Sequence, residues 1–303
     1  MNKYIIEAQK LDFSYSKSSK DIKKLNLQVP KGSIYGFLGS NGSGKSTTIR
    51  LLLGLLKKDS GTISLFGNSF KENRIENLSK IGALIENPSL YEHLNALDNL
   101  KIAANYKSIH KSRIDEVLEI VKLTHAKHKK VKKYSLGMKQ RLGIAIALLS
   151  EPEILILDEP TNGLDPKGII EMRSLIKSLN KDYGTTIFIS SHLLSEIEKT
   201  CSHVGIINDG KMLFQNTVKA LKESQSDDIV INIESNDSEH LKHVISPLSI
   251  HSEILNMSFI NITIKNKKDI PFLIDKIRKA GIEIYQINIK NNLEDLFLTL
   301  TEK

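Results

Sequence analysis

A glycine-rich segment near residue 40 carries the clearest chemical signal in the chain. It fits the pattern G-x-x-x-x-G-K-[ST], in which the glycines let successive backbone N–H groups surround phosphate oxygens. The lysine is placed to reach the β- and γ-phosphates, and the final hydroxyl can ligate Mg²⁺. We therefore predict a nucleoside triphosphate site. Its contacts are Gly39, Ser40, Asn41, Gly42, Ser43, Gly44, Lys45, Ser46 and Thr47, with Ser46 also a metal ligand.

Two adjacent carboxylates and a histidine follow two other apolar segments. Asp158 and Glu159 come directly after the run 154–157, and His192 follows the run 185–190. Ligands of open parallel sheets bind at the carboxyl edge of the strands. We predict that Asp158 holds Mg²⁺, that Glu159 is the general base, and that His192 contacts the γ-phosphate and aligns the attacking water. An acidic helix cap and a structural histidine are the alternative interpretations.

Elements that would position these residues can be read from the hydrophobic pattern of residues 1–220. Short apolar runs alternate with helical patterns, which favours an α/β fold. We predict a strand at 34–38 before the glycine-rich loop and a helix at 47–56 after it. A helix at 167–182 between strands at 154–157 and 185–190 makes a βαβ unit.

Turn residues mark two more connections in this region. The segment 29–32, with Pro30 and Gly32, predicts a turn between the strands 25–29 and 34–38. Asn-Asp-Gly at 208–210 predicts a hairpin joining the strands 204–207 and 211–214.

Composition excludes several classes of protein. The chain has 303 residues, 40% hydrophobic and 26% charged, and its apolar runs are far shorter than the roughly 20 residues that span a bilayer. No secretory signal precedes the first strand, and the single cysteine suits a reducing compartment, so we expect a cytoplasmic chain. The net charge is +8, but the dense lysines at 127–133 lack interleaved aromatics, so we interpret them as a solvated face and expect no nucleic-acid partner.

A domain boundary is predicted near residue 225. Residues 1–225 carry 34 Lys and Arg against 23 Asp and Glu, whereas residues 226–303 carry 9 against 12. The second part has no motif of known chemistry, and we predict a small α+β domain there. Its expected strands are 229–233, 258–264 and 282–289, and its expected helices are 239–244, 270–280 and 293–301.

Residues 4–220 together resemble the nucleotide-binding subunit of an ATP-binding cassette (ABC) transporter. The segment Tyr-Ser-Leu-Gly-Met-Lys-Gln-Arg at 134–141 is similar to the family's signature, 162–166 matches its D-loop, and Tyr15 matches the aromatic residue that stacks on adenine. The resemblance implies an α/β, P-loop NTPase fold of the ABC type. Such a fold has a parallel core sheet, an antiparallel β-subdomain and a helical subdomain, here at about 87–150.

The signature also implies that one chain is incomplete. Ser135 and Gly137 offer a hydroxyl and N–H groups at a helix start, which is an anion-binding surface. In the family this surface faces the γ-phosphate held by the opposite subunit, so ATP is sandwiched in a homodimer. Asp165 is then expected to contribute contacts across that interface.

Two departures from the family pattern stand out. Leu136 and Met138 occupy signature positions that are usually Gly and Gln. Glu86 stands where most members carry the glutamine of the Q-loop, which reaches toward Mg²⁺ and the attacking water, so we treat Glu86 as a catalytic and metal-site candidate. A carboxylate there favours cation coordination and increases repulsion of the γ-phosphate.

The Glu86 variant, the segment 87–94 and the tail at 293–297 look like the ATPases of lantibiotic and bacitracin self-protection exporters. That resemblance implies separate membrane permease subunits and a location at the cytoplasmic face of the membrane. Two other classes stay open on the sequence alone. They are a soluble ABC ATPase acting on ribosomes or nucleic acid, and a binding module without turnover.

Overall fold

A computed structural model describes residues 3–16, 19–223, 229–248 and 250–289. The chain divides into two compact units, Met1–Val218 and Lys219–Lys303, so the division lies a few residues before the predicted position 225. The predicted helix at 293–301 and the tail motif at 293–297 lie outside the described residues.

The first unit alternates strands and helices along the chain, with two 3-10 helices at Thr124–Ala126 and Val131–Lys133. Its strands are β1 (Tyr4–Phe13), β2 (Ile22–Pro30), β3 (Ile34–Leu38), β4 (Ser60–Leu65), β5 (Asn68–Ser69), β6 (Ile81–Leu84), β7 (Ile154–Asp158), β8 (Thr186–Ser191), β9 (His203–Asn208) and β10 (Lys211–Thr217). Its helices are α1 (Lys45–Leu52), α2 (Arg74–Ser79), α3 (Ala96–Tyr106), α4 (Ser112–Ile120), α5 (Leu136–Leu148), α6 (Pro166–Tyr183) and α7 (Leu194–Thr200). Helix α8 (Val218–Glu223) begins at the division between the units.

A six-stranded sheet in the order β10-β9-β3-β8-β7-β6 forms the centre of this unit. All neighbouring pairs are parallel except β9–β10, the predicted hairpin. Strands β3, β7 and β8 are buried along their whole length, which explains their near-continuous apolar sequences. Because β6, β7, β8 and β3 run in the same direction, the residues that follow them meet at one sheet edge.

A second sheet of this unit is antiparallel, in the order β2-β1-β4-β5. The predicted turn at 29–32 does join β2 to β3, but the two strands lie in different sheets. Buried aromatic rings pack side by side on neighbouring strands of the central sheet, since Phe188 of β8 contacts both Tyr35 and Phe37 of β3. The chain between β6 and β7 is helical, and α3, α4 and α5 share one buried apolar cluster.

Helix α1 ends earlier than the hydrophobic pattern predicts. We expected it to reach residue 56, whereas it stops at Leu52. Gly54 adopts φ +65°, and two backbone bonds close the end of the helix, from Gly54 N–H to Leu51 O and from Leu55 N–H to Arg50 O. This is a Schellman termination, which requires a residue that tolerates the left-handed region.

The second unit is an α+β domain, as predicted. Its four-stranded antiparallel sheet has the order β12-β13-β11-β14, and the element sequence β-α-β-β-α-β is that of a ferredoxin-like fold. Among the described residues of this unit, the sequence analysis missed the short strand β12 and the 3-10 helix before it. The elements are β11 (Ile229–Ser235), α9 (Ser238–Ile245), a 3-10 helix (Ser246–Leu248), β12 (Ser252–Ile254), β13 (Phe259–Ile264), α10 (Asp269–Lys279) and β14 (Ile284–Ile289). Among the described helices of the chain, none has the length and apolar character to span a bilayer.

Candidate nucleotide-binding site

The glycine-rich loop connects β3 to α1 at the carboxyl edge of the central sheet. Gly42 and Gly44 adopt φ +82° and +107°, values that side-chain-bearing residues rarely reach. Gly39 is needed for a different reason. A Cβ at this position would lie 2.4 Å from Ser43 Oγ and 2.6 Å from Ile207 O, so only glycine lets the loop pass this close.

Unpaired backbone donors face outward where the loop becomes α1. The first helical hydrogen bond runs from Thr48 N–H to Gly44 O, at 2.9 Å. The N–H groups of Lys45, Ser46 and Thr47 precede that bond and have no partner within the helix. They combine with the positive end of the helix dipole, so the loop is built to bind an anion.

Lys45 is the first residue of α1, directly after the glycine-rich loop, and it is only 5% exposed. Its Nζ donates to Gly39 O at 2.9 Å and to Ser40 O at 3.1 Å. The same ammonium is 3.3 Å from Glu159 Oε1. The buried lysine is therefore neutralised by the carboxylate that we predicted to be the general base.

Asp158 and Glu159 occupy different environments although they are neighbours. Asp158 is 3% exposed, and its Oδ1 accepts a short hydrogen bond from Ser190 Oγ. Ser190 Oγ also accepts the backbone N–H of Glu159 at 2.9 Å. Glu159 adopts φ +48°, a strained conformation for a non-glycine residue, and its side chain reaches back into the site.

His192 lies beside Glu159 at the carboxyl edge of the sheet, a contact that the sequence analysis did not predict. The His192 Nδ1 lies 2.9 Å from Glu159 Oε2. One carboxylate therefore contacts both Lys45 and His192 through its two oxygens. Sequence analysis missed Ser190, the residue that positions both carboxylates. The signal was a pair of serines at the end of an otherwise apolar run.

Glu86 and Tyr15 both contact side chains of α1, the helix that follows the loop. Glu86 follows β6 with φ +57°, and its carboxylate pairs with the Arg50 guanidinium of α1. The Tyr15 hydroxyl is 3.5 Å from Thr47 Oγ1, and its ring packs edge-on against Phe13 with 55% of the residue exposed. An exposed aromatic face beside the phosphate loop suits stacking on a base.

A cavity of about 430 Å³ opens over the loop. It is lined by Ser19, Lys20, Asp21, Lys23, Asn41, Gly42, Gly44, Lys45, Ser46, Thr47, Glu159, Asp209 and Gly210. Lys23 and Asp209 form an ion pair at its rim, with 2.5 Å between Nζ and Oδ2. The rim pair was not anticipated from the sequence.

Ser135, Gly137 and Asp165 line a different cavity, of about 540 Å³. Ser135 caps α5 by accepting the Met138 N–H at 3.3 Å, and Asp165 caps α6 by accepting the Gly168 N–H at 2.9 Å. None of the three predicted contacts lines the cavity over the phosphate loop. One chain therefore presents two separate polar surfaces.

The oxygen ligands expected for Mg²⁺ are compatible with this geometry. Ser46 lies in the first turn of α1 and Asp158 ends β7, and hydroxyl and carboxylate oxygens are the ligands that Mg²⁺ accepts. Within the described residues, no group of three or more His, Cys, Asp or Glu side chains could hold a metal ion. A Mg²⁺ here would complete its shell with phosphate oxygens and water, as is usual for this ion.

The fold and the site together define a P-loop nucleotide-binding protein with a second, signature-like surface. The family ABC transporter matches residues 22–162. The chain is 58% identical over 207 residues to the bacitracin transport ATP-binding protein BcrA of Bacillus licheniformis, covering 68% of each chain. It is 44% identical over 211 residues to the lantibiotic transport ATP-binding protein SrtF of Streptococcus pyogenes, covering 70% of this chain and 90% of SrtF.

Among solved structures, the chain is similar to cbiO1 from Clostridium perfringens, with a TM-score of 0.69 and 27% identity. That protein is part of the ABC transporter complex cbiONQ. The match covers 82% of this chain and 97% of that one. The chain therefore belongs to the ATP-binding subunits of the ABC transporter family, and it is an ATPase that binds ATP. The predicted family and fold class are confirmed.

Proposed function

We propose that this chain is the ATP-hydrolysing subunit of an exporter that removes antimicrobial peptides of the bacitracin or lantibiotic type from the membrane. The observation that carries the proposal is the 58% identity to the bacitracin transport ATP-binding protein BcrA. The lantibiotic transport protein SrtF, at 44% identity, points to the same class of cargo. The relatives described above give no support to the soluble alternative.

The chemistry assigns a distinct task to each polar group at the sheet edge. Lys45 and the first N–H groups of α1 bind the phosphates. Glu159 accepts the proton of the attacking water as general base, and His192 holds Glu159 and the water in line. Mg²⁺, when held by Ser46 and Asp158, supplies positive charge to the phosphate oxygens.

Binding of nucleotide must also rearrange one ion pair. Lys45 Nζ and Glu159 Oε1 lie 3.3 Å apart and neutralise each other. A triphosphate attracts Lys45 more strongly than a single carboxylate does, so Glu159 is released toward water when the phosphates arrive. The general base thus becomes available only in the loaded site.

The working unit in this proposal is a homodimer. Ser135 and Gly137 line a cavity apart from the phosphate loop, so they can contact a γ-phosphate only if it belongs to a second copy. A head-to-tail pair with two-fold symmetry completes both sites at once. The dimer would dock under separate membrane permease subunits at the cytoplasmic face.

Glu159→Gln tests the ATPase part of the proposal. We expect the variant to keep ATP binding, to lose at least about 100-fold in turnover, and to accumulate a dimer in size-exclusion chromatography with Mg²⁺ and ATP. Glu153→Gln is the matched control, because Glu153 precedes β7 at the opposite edge, where its carboxylate pairs with Lys31. Normal hydrolysis by Glu159→Gln would remove Glu159 from the role of base.

Co-expression with its permease tests the transport part. The pair should raise the resistance of a sensitive cell to bacitracin or a lantibiotic, and Glu159→Gln should abolish that resistance. Failure to associate with any membrane protein, together with salt-sensitive binding to RNA or DNA, would favour the soluble class instead.

A further inference from the structure

Three carboxylates converge on the edge where nucleotide phosphates bind. Strands β6 and β7 are parallel neighbours with Leu84 opposite Leu157, so Glu86, Asp158 and Glu159 all emerge at the same edge. A nucleoside triphosphate carries about four negative charges, and each unpaired carboxylate nearby would oppose its binding. The partners of these carboxylates therefore decide how well the site accepts an anion.

Two of the three carboxylates are paired with groups of the site already described. Asp158 accepts a hydrogen bond from Ser190, and Glu159 pairs with Lys45 and His192. Glu86 is different, because its partner belongs to neither the phosphate loop nor the strand ends. That partner is Arg50, whose guanidinium bonds Glu86 Oε1.

Arg50 lies in the last turn of α1, the helix that begins at the phosphate loop. A hydrogen bond with the Tyr15 hydroxyl, followed by attraction to Glu86 and Asp158, raises the pKa of Arg50. The guanidinium side chain is 34% exposed, against 62% for Glu86. Arg50 thus connects the exposed tyrosine beside the loop to the acidic side of the sheet edge.

We propose that Arg50 is a positioning residue that neutralises Glu86 and holds it against α1, so that a carboxylate is tolerated beside the phosphate-binding loop. The inference rests on the proposed nucleotide site. Loss of Arg50 leaves a free negative charge next to the phosphates. Loss of both charges restores a neutral surface, as an uncharged amide at position 86 would provide.

The proposal predicts a specific pattern in a double-mutant cycle. The probe is the fluorescent nucleotide MANT-ATP, measured in EDTA so that charge repulsion is not masked by Mg²⁺. Arg50→Gln should weaken binding by roughly 3- to 10-fold, the size expected for one unit charge near a partly solvated site. The double variant Arg50→Gln, Glu86→Gln should bind within about 2-fold of the parent.

Two control variants separate a charge effect from a structural one. Arg50→Lys keeps the charge and should retain most of the affinity, although it loses the planar fork. Lys80→Gln removes a cation from the exposed pair Lys80–Glu76, which precedes β6 at the far edge of the sheet. This variant should bind MANT-ATP as the parent does. Thermal unfolding of all variants reports any loss of fold.

The outcomes distinguish this inference from the function on which it rests. If Glu86→Gln fails to rescue Arg50→Gln, or if Arg50→Gln binds metal-free MANT-ATP as the parent does, Arg50 does not neutralise Glu86. If the parent chain binds no MANT-ATP at all, with or without Mg²⁺, the proposed nucleotide site itself is wrong.

Discussion

Ser190 is the residue whose removal most directly tests how the two adjacent carboxylates are held. It is fully buried, donates to Asp158 Oδ1 and accepts the Glu159 N–H at 2.9 Å. The substitution Ser190→Ala removes one oxygen and leaves both groups without that partner. We expect it to lower stability and to disturb Asp158, the proposed Mg²⁺ ligand, and Glu159, the proposed general base, together.

The size of the effect follows from the burial of these groups. An unsatisfied buried donor or acceptor costs about 1–3 kcal/mol, so two of them predict a loss of about 2–6 kcal/mol. For a unit of this size, where each kcal/mol lowers Tm by about 2–4 °C, the loss corresponds to a fall in Tm of about 4–24 °C. Turnover should fall as well, because Asp158 and Glu159 lose their shared anchor.

Urea and thermal unfolding measure the stability, and phosphate release measures turnover. Ser191→Ala is the matched control, since the Ser191 hydroxyl bonds only the backbone of Leu193. The Ser191→Ala protein should hydrolyse ATP with the same dependence on Mg²⁺ as the parent protein. A Ser190→Ala protein that unfolds within about 0.5 kcal/mol of the parent and hydrolyses ATP at the same rate would refute the role given to Ser190.

Three further changes have defined outcomes. Gly39→Ala should weaken MANT-ATP binding, because the new Cβ would lie 2.6 Å from Ile207 O, and unchanged affinity would show that the loop can shift freely. Burial raises the pKa of Cys201 to about 12, so iodoacetamide at pH 8 should react at least about 100-fold more slowly with folded than with urea-unfolded protein; equal rates would contradict this. Lys20 holds the pKa of Asp12 below its ordinary value. Asp12→Asn should therefore lower Tm near pH 7, and the difference should vanish as the pH falls through that lowered pKa, whereas a constant difference would exclude the charge as its cause.

The central sheet and the phosphate loop could be predicted because their signals are local. Buried parallel strands give unbroken apolar runs, and the loop needs glycine at fixed positions where the backbone reaches φ values that other residues avoid. Asp158 and His192 could be predicted to lie at the carboxyl edge of the sheet for the same reason, since both directly follow such apolar runs. Proximity along the chain was enough to identify these positions.

Pairings between distant segments were not accessible in this way. Arg50 and Glu86 are 36 positions apart, and Ser190 lies 32 positions from Asp158, so nothing in the local pattern connects them. The strand β1 was also missed as a separate element. Its pairing with β2 and β4 depends on a long-range register that periodicity cannot supply.

Glu159 and Glu86 both hold left-handed backbone conformations that glycine or asparagine would adopt with less strain. Directed evolution for heat resistance alone should therefore favour glycine or asparagine at these two positions. Each substitution should raise the free energy of unfolding by about 1 kcal/mol. Such variants would lose Glu159, the proposed general base, and Glu86. A selection for thermostable variants must therefore include an activity assay at every round, because stability would otherwise be gained by losing ATPase activity.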